Sequence, residues 1–210
     1  MTKPIRVWMA PPGPNPWKVV LVLEELQVPY EIVSFKFEEI KQKPFIDINP
    51  NGRVPRVPVH FQVSGQGPYF GQAGWFTVLH AEKLPSAIER YQNEVRRIHG
   101  VLEGWLQKRE WLVGDRITYA DLAFATWNDR SDAVLQCTPE DEFKGFPRVQ
   151  AWHERMTSRP SWKKAMETRA RLMDEQGLDW NGMPKGIKTM AEYEAKIRAD
   201  REEAVAAPKE

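Results

Sequence analysis

The sequence of 210 residues contains one cysteine, Cys137. A single thiol cannot form an internal disulfide, and it excludes a metal site built on several cysteines. Cys137 stands in the segment V-L-Q-C-T-P. We interpret it as a small buried side chain rather than as a nucleophile.

Excess charge and long apolar runs are also missing. The 30 Lys and Arg residues nearly balance the 29 Asp and Glu residues, so the net charge is +1. This balance argues against a dedicated nucleic-acid-binding protein, which needs a basic surface for the phosphates. No apolar run approaches the roughly 18 residues of a membrane span, and the N-terminal residues lack the apolar core of a signal peptide. We therefore expect a cytoplasmic protein that binds neither nucleic acid nor membrane.

Common catalytic motifs are absent as well. The chain has no G-x-S-x-G, no H-E-x-x-H, no P-loop and no G-x-G-x-x-G after a strand. The glycine-rich segment 65–71 follows no strand and lacks the lysine of a phosphate-binding loop. The four histidines have no metal-ligand spacing, and we expect His99 on the polar side of a long helix, in a surface or structural role.

The first part of the chain predicts a βαβ unit. Residues 5–9 alternate in polarity like a strand, and 30–37 are rich in β-branched and aromatic residues. Between them, Asn15 is a favoured N-cap and Pro16 suits the first helical position of an apolar helix over 17–27. A helix of this length between two strands predicts parallel pairing. A short helix, an N-P-N-G turn and a proline-containing edge strand or loop are expected before residue 60.

From Phe61 onward helical patterns dominate. Apolar residues recur at spacings of three and four between Ile88 and Trp105, which predicts a long amphipathic helix. Other signals predict helix starts: Ser86 with Glu89, Thr118 with Asp121, Pro147, Ser161, and Thr189 with Glu192. The chain is therefore divided into an α/β unit over 1–58, an all-helical unit over 60–200 and a tail over 201–210.

Several motifs in this order resemble those of the glutathione S-transferases, in the fungal class similar to the yeast protein Ure2. The resemblance covers residues 5–58 and about 61–195. The motifs are P-N-x-W-K-V at Pro14–Val19, L-E-E-L at Leu23–Leu26, I-N-P-N-G-R-V-P at Ile48–Pro55, F-Q-V-S-G-Q-G-P-Y-F-G-Q at Phe61–Gln72, P-S-A-I-E-R-Y, L-V-G-D-R-I-T-Y-A-D-L at Leu112–Leu122, and F-P-R-V-Q-A-W-H-E-R-M.

The resemblance implies a thioredoxin-like domain joined to a helical bundle, with glutathione as co-substrate. Asn15 would lie beside the glutathione thiol, where backbone N–H groups and the dipole of the first helix favour the thiolate. The other glutathione-binding residues that it implies are Trp17, then Gln42, Lys43 and Arg53 near the glycyl carboxylate, and Val54, whose backbone pairs with the cysteinyl unit. The residues that it implies for the electrophile pocket are Tyr69, Gln72, Trp75, Trp127 and Asn128.

One segment of the family pattern is missing. After Pro55 the family continues through two strands and a Glu-Ser pair that binds the γ-glutamyl group, whereas here the motif at Phe61 follows almost at once. We therefore expect a truncated thioredoxin-like domain with an internal deletion between Pro55 and Phe61. The family dimerises through helices next to this segment, so homodimer formation is in question.

Two functions follow from the resemblance. The first is an enzyme that uses the glutathione thiolate to attack a small hydrophobic electrophile, in fungal secondary-metabolite biosynthesis. Transient addition of glutathione to a double bond would also drive cis–trans isomerisation of that bond. The alternative is a non-catalytic or defective relative with a binding or regulatory role. The missing Glu-Ser pair favours this alternative, because each lost hydrogen bond to a charged group costs about 1.5–3 kcal/mol.

Overall fold

The computed structural model describes residues 5–36, 39, 61–179, 182–187 and 190–206. The short helix, the N-P-N-G turn and the proline-containing segment predicted before residue 60 lie outside the described residues, as does the junction at 58–60. Among the described residues, no helix combines the length and apolar character that crossing a bilayer requires. The described residues also bring no group of three or more His, Cys, Asp or Glu side chains together around a metal position.

The N-terminal unit is a strand, a helix and a second strand, as predicted. Strand β1 (Ile5–Met9) pairs in parallel with β2 (Tyr30–Ser34), so that Ile5 lies opposite Tyr30 and Met9 opposite Ser34. Helix α1 (Pro14–Glu25) connects them. Strand β2 is shorter than predicted and ends at Ser34. A two-stranded sheet has little stability of its own, so α1 must gain its stability from other packing.

The remaining described elements are helical. Two π-helical turns, Gln62–Gln66 and Trp75–Leu79, flank helix α2 (Gly67–Gly74), and single 3₁₀ turns lie at Leu106–Lys108 and Pro139–Asp141. The α-helices are α2 (Gly67–Gly74), α3 (Pro85–Trp105), α4 (Tyr119–Asn128), α5 (Ser131–Leu135), α6 (Pro147–Thr157), α7 (Pro160–Glu175) and α8 (Met190–Ala206). Helix α8 therefore continues past residue 200, into the segment expected to be a tail. The thioredoxin-like unit followed by a helical bundle matches the predicted fold class.

One hydrophobic core joins both units. Trp17, Val20 and Leu21 of α1 are almost completely buried, and α1 packs against α4 and α7. Helix α3 buries the predicted apolar stripe at its centre, but Trp105 at its end remains 49% exposed. Burial of the α1 side chains Trp17, Val20 and Leu21 contributes roughly 1.5–3 kcal/mol each to stability. The small sheet is therefore held by the bundle through α1.

The predicted helix starts are partly confirmed. The side chain of Thr118 accepts a hydrogen bond from the backbone of Ala120, and Asp121 accepts from the backbone of Thr118, as the predicted capping box requires. The predicted caps at Ser86 and Ser161 are wrong, because α3 and α7 each begin one residue earlier, at a proline without a side-chain cap. Proline is favoured at the first helical position and has no N–H to satisfy there, so the helix can begin on it.

Of the two roles expected for His99, the surface one is wrong and the structural one agrees with its position. Its ring is fully buried in α3, beside Phe70, Phe143 and Phe146. Burial lowers the pKa of His99 to about 4, so the ring is neutral near pH 7. Cys137 is half-buried, and burial together with neighbouring acidic groups raises the pKa of its thiol. A thiol with a raised pKa is a poor nucleophile, in agreement with the interpretation from sequence.

Candidate functional site

The start of α1 is the part of the N-terminal unit best suited to an anionic ligand. Asn15 is the second residue of α1, and its side chain is half-buried. The predicted cap at Asn15 is wrong, because Gly13 is the capping residue and the helix begins at Pro14. Pro14 and Pro16 have no N–H, so of the first three helical residues only Asn15 presents a backbone donor. The positive end of the helix dipole still favours negative charge at this point.

The Asn15 side chain is bonded to the helical bundle. Its Oδ1 accepts a hydrogen bond of 3.1 Å from Nε1 of Trp127 on α4. Among the described residues, Nδ2 of Asn15 has no hydrogen-bond partner. The amide therefore offers two N–H donors that neither α1 nor α4 uses.

A buried polar chain runs beside this contact. Nζ of Lys18 donates to Oε1 of Gln62 at 2.9 Å, and Nε2 of Gln62 donates to Oε1 of Gln66 at 3.3 Å. Nε2 of Gln66 then donates to Oδ1 of Asn128 at 2.7 Å. All four side chains are at least nine-tenths buried. Burial lowers the pKa of Lys18 to about 8, and no carboxylate among the described residues pairs with it.

Two predicted site residues lie in the core. The Trp17 side chain is 1% exposed, and its Nε1 donates to the Pro11 carbonyl at 2.9 Å. It supports the loop before α1, and its N–H is occupied. Asn128 is fully buried in the polar chain, and its Nδ2 has no hydrogen-bond partner among the described residues. Asn128 therefore packs behind the proposed pocket rather than on its surface.

The other predicted pocket residues lie on different sides of α2. Tyr69 faces α3, where it contacts the ring of Tyr91 and has the Arg97 guanidinium 5.9 Å from its ring centre. Gln72 and Trp75 are exposed, Trp75 by 46%. Among the described residues, no hydrogen bond joins any of these three to Asn15. Of the predicted electrophile-pocket residues, Trp127 is the one that is hydrogen-bonded to Asn15 in the described part of the chain.

Four predicted glutathione contacts, Gln42, Lys43, Arg53 and Val54, lie outside the described residues. The structure instead reveals three polar residues that sequence reasoning missed, which are Lys18, Gln62 and Gln66. One signal was available for Lys18, since it stands inside an otherwise apolar helix that was expected to be buried. A lysine in such a helix needs a polar partner.

Comparison with known proteins agrees with this architecture. Residues 3–63 match the family model "Glutathione S-transferase, N-terminal domain" and residues 68–160 match "Glutathione S-transferase, C-terminal domain". Glutathione S-transferase 1 of Schizosaccharomyces pombe is 36% identical over 223 residues, which cover 80% of this chain and 97% of the relative. The glutathione S-transferase-like protein tpcF of Aspergillus fumigatus is 35% identical over 207 residues, 73% of this chain and 91% of the relative.

Solved structures show the same relationship. The glutathione transferase URE2P6 from Phanerochaete chrysosporium, crystallised with oxidised glutathione, superposes with a TM-score of 0.73 at 36% identity and covers 80% of this chain and 96% of its own. The alignment with the S. pombe protein spans 223 positions but includes only 80% of a 210-residue chain. The relative therefore contains residues without a counterpart here, as a truncated domain requires. The chain belongs to the glutathione S-transferase family, within its fungal Ure2-like group.

Proposed function

We propose that this protein is a glutathione-dependent transferase that acts on a small hydrophobic electrophile. The observation that carries the proposal is the Asn15 amide. It lies at the positive end of α1, bonded to Trp127 through its oxygen, and its two N–H groups have no partner among the described residues. Support comes from URE2P6, a structural neighbour that was crystallised with oxidised glutathione.

In the proposed reaction the glutathione thiol loses its proton to solvent, and the thiolate attacks an electrophilic carbon. A sulfur–carbon bond forms while the leaving group departs with its electron pair, or an activated alkene takes up a proton instead. Asn15 stabilises the thiolate by donating from Nδ2, together with the dipole of α1. A stabilised thiolate lowers the thiol pKa and increases the reactive fraction at neutral pH.

The remaining glutathione contacts stay predictions from the sequence. Gln42, Lys43 and Arg53 are proposed near the glycyl carboxylate, and the Val54 backbone is proposed to pair with the cysteinyl unit. Trp127 provides one wall for the electrophile, since its half-buried ring lies beside Asn15.

Finer parts of the proposal concern the reaction and its setting. Addition of the thiolate to a conjugated double bond, rotation and release would isomerise that bond with the same residues. We also propose a role in secondary metabolism and a cytoplasmic location. Whether the protein is a monomer or a homodimer stays an open prediction from the sequence. Product analysis with a conjugated cis-alkene distinguishes isomerisation, which regenerates glutathione, from conjugation, which consumes it.

The test measures conjugation of glutathione to 1-chloro-2,4-dinitrobenzene by the wild type and by the Asn15→Ala variant. A hydrogen bond to a charged group is worth about 1.5–3 kcal/mol, so kcat/KM should fall about 10- to 150-fold. Asn93→Ala is the matched control, because Asn93 is exposed on α3 and distant in sequence from the site. Its activity should equal that of the wild type.

Two results would contradict the proposal. Equal activity of wild type and Asn15→Ala would remove Asn15 from the mechanism. A folded wild type that neither conjugates the electrophile nor is retained on immobilised glutathione would favour the alternative, a non-catalytic protein with a binding or regulatory role.

A further inference from the structure

We propose that Trp127 is a positioning residue that fixes the orientation of the Asn15 amide, so that its NH₂ group and not its oxygen faces the glutathione sulfur. This inference rests on the proposed function and assigns to Trp127 a task other than that of a pocket wall. It concerns a contact between residues 112 positions apart in the chain.

The chemistry of the two groups determines the orientation. An indole Nε1–H can only donate a hydrogen bond, whereas a side-chain amide has an accepting oxygen and a donating nitrogen. At 3.1 Å from Nε1 of Trp127, the amide must therefore present its oxygen to the indole. Its nitrogen then points to the other side. A thiolate accepts hydrogen bonds, so the NH₂ group stabilises it and a carbonyl oxygen in that place would repel it.

The Trp127 ring is itself held in place by α2. Phe70 meets the ring edge-on, with 6.2 Å between the ring centres. A Cβ atom added to Gly71 would lie 3.7 Å from Cη2 of Trp127, and one added to Gly67 would lie 3.9 Å from its Nε1. These are ordinary van der Waals distances, so the backbone of α2 lies close beside the indole and helps to hold the ring in place.

The chain directly after Trp127 is also anchored to the N-terminal unit. Nη2 of Arg130 donates to the Pro12 carbonyl at 2.8 Å, in the loop that leads into α1. Asn128 is connected through Gln66 and Gln62 to Lys18 on α1. These contacts hold the indole N–H at a constant position relative to Asn15. The orientation of the amide is thus set before glutathione arrives, which lowers the cost of binding the thiolate.

The principal test is the Trp127→Phe variant, which removes the N–H and keeps most of the apolar ring. Without this bond nothing distinguishes the two amide orientations, and only about half of the molecules then hold the productive one. At neutral pH kcat/KM should therefore fall about 2-fold, and its pH profile should shift toward higher pH. Trp105→Phe is the matched control. This variant also removes an indole N–H, but one that donates to the backbone carbonyl of Leu112 and not to Asn15. It should change neither kcat/KM nor the pH profile.

A double-mutant cycle separates positioning from a structural role. If Trp127 acts through Asn15, Trp127→Phe should have almost no further effect in the Asn15→Ala background. Losses that multiply in the double variant would overturn the proposal, as would a wild-type pH profile in Trp127→Phe. The Asn15→Asp variant provides a second route. It can still accept from Trp127 but presents oxygen to the sulfur, so it should be less active than Asn15→Ala; equal or higher activity would overturn the proposal.

An NMR measurement makes the inference independent of turnover. The indole N–H signal of Trp127 in a ¹⁵N-labelled wild type should shift in Asn15→Ala, because its acceptor is lost. An unchanged signal would overturn the positioning role even in an active enzyme. An inactive wild type with a shifted signal would instead refute the proposed function, and the two failures are therefore distinguishable.

Discussion

The buried amine of Lys18 gives a quantitative prediction. Its side chain is 5% exposed, and burial lowers its pKa from 10.5 to about 8 in the folded protein. Between these two values the unfolded chain binds more protons than the folded one, so stability rises with pH in this window. A shift of this size corresponds to roughly 3 kcal/mol at pH 7, since one pKa unit is about 1.4 kcal/mol.

The assay is urea unfolding of the wild type and of Lys18→Met, followed by circular dichroism at pH 7, 8.5 and 10. Methionine has a similar length and carries no charge, so the variant lacks this pH dependence. Relative to the variant, the wild type should gain about 2–3 kcal/mol of unfolding free energy between pH 7 and pH 10. The variant also leaves Oε1 of Gln62 without its donor, a cost that does not change with pH.

The exposed Lys163 provides the control, because Lys163→Met should follow the wild-type pH dependence. The prediction would be refuted if the unfolding free energies of the wild type and of Lys18→Met changed with pH in the same way. They would mean that Lys18 keeps its ordinary pKa, through water or a residue outside the described part of the chain.

The remaining predictions concern stability. Gly177 follows α7 with φ of +65° and has no atom within 4 Å of an added Cβ, so Gly177→Ala should destabilise by about 1 kcal/mol through backbone strain alone. Gly104 also has no atom within 4 Å of an added Cβ but lies inside α3, so Gly104→Ala should stabilise the protein by about 0.5–1 kcal/mol. In urea unfolding the two variants should change the free energy of unfolding in opposite directions, and changes in the same direction would contradict the predictions. Asp121 accepts from Nε1 of Trp152 and from the backbone of Leu112, and both Asp121 and Trp152 are fully buried. Asp121→Ala should therefore cost about 3 kcal/mol or more, and a thermal midpoint within a degree of the wild type would contradict this.

The local elements were largely readable from the sequence. The alternation over Ile5–Met9, the apolar residues of α1 and the spacing along α3 each produced the predicted element. Boundaries were less accurate wherever a proline preceded a possible cap, as at Pro14. A serine or asparagine cap and a proline at the first helical position compete over one or two residues, and sequence alone does not say which will prevail.

Burial was harder to predict for polar residues. His99 was expected on the polar side of its helix, but the aromatic rings of Phe143 and Phe146 cover that side. These two residues come from the loop before α6, more than 40 positions later in the chain. Helical periodicity describes one helix and not its neighbours, so a position that looks polar is buried whenever another segment packs over it.

The sequence by itself determined the family and the order of the described elements, because motifs and periodicity are properties of short segments. It also suggested Asn15 as the residue beside the glutathione thiol, which stays a prediction. The tertiary structure decided which side chains meet. Packing of α1 against α4 brings Trp127 to Asn15, and Gln62 and Gln66 link Lys18 to Asn128. The tertiary structure also buries Trp17 in the core and leaves Trp75 at the surface. Such contacts depend on distances between helices far apart in the chain, and no local pattern encodes those distances.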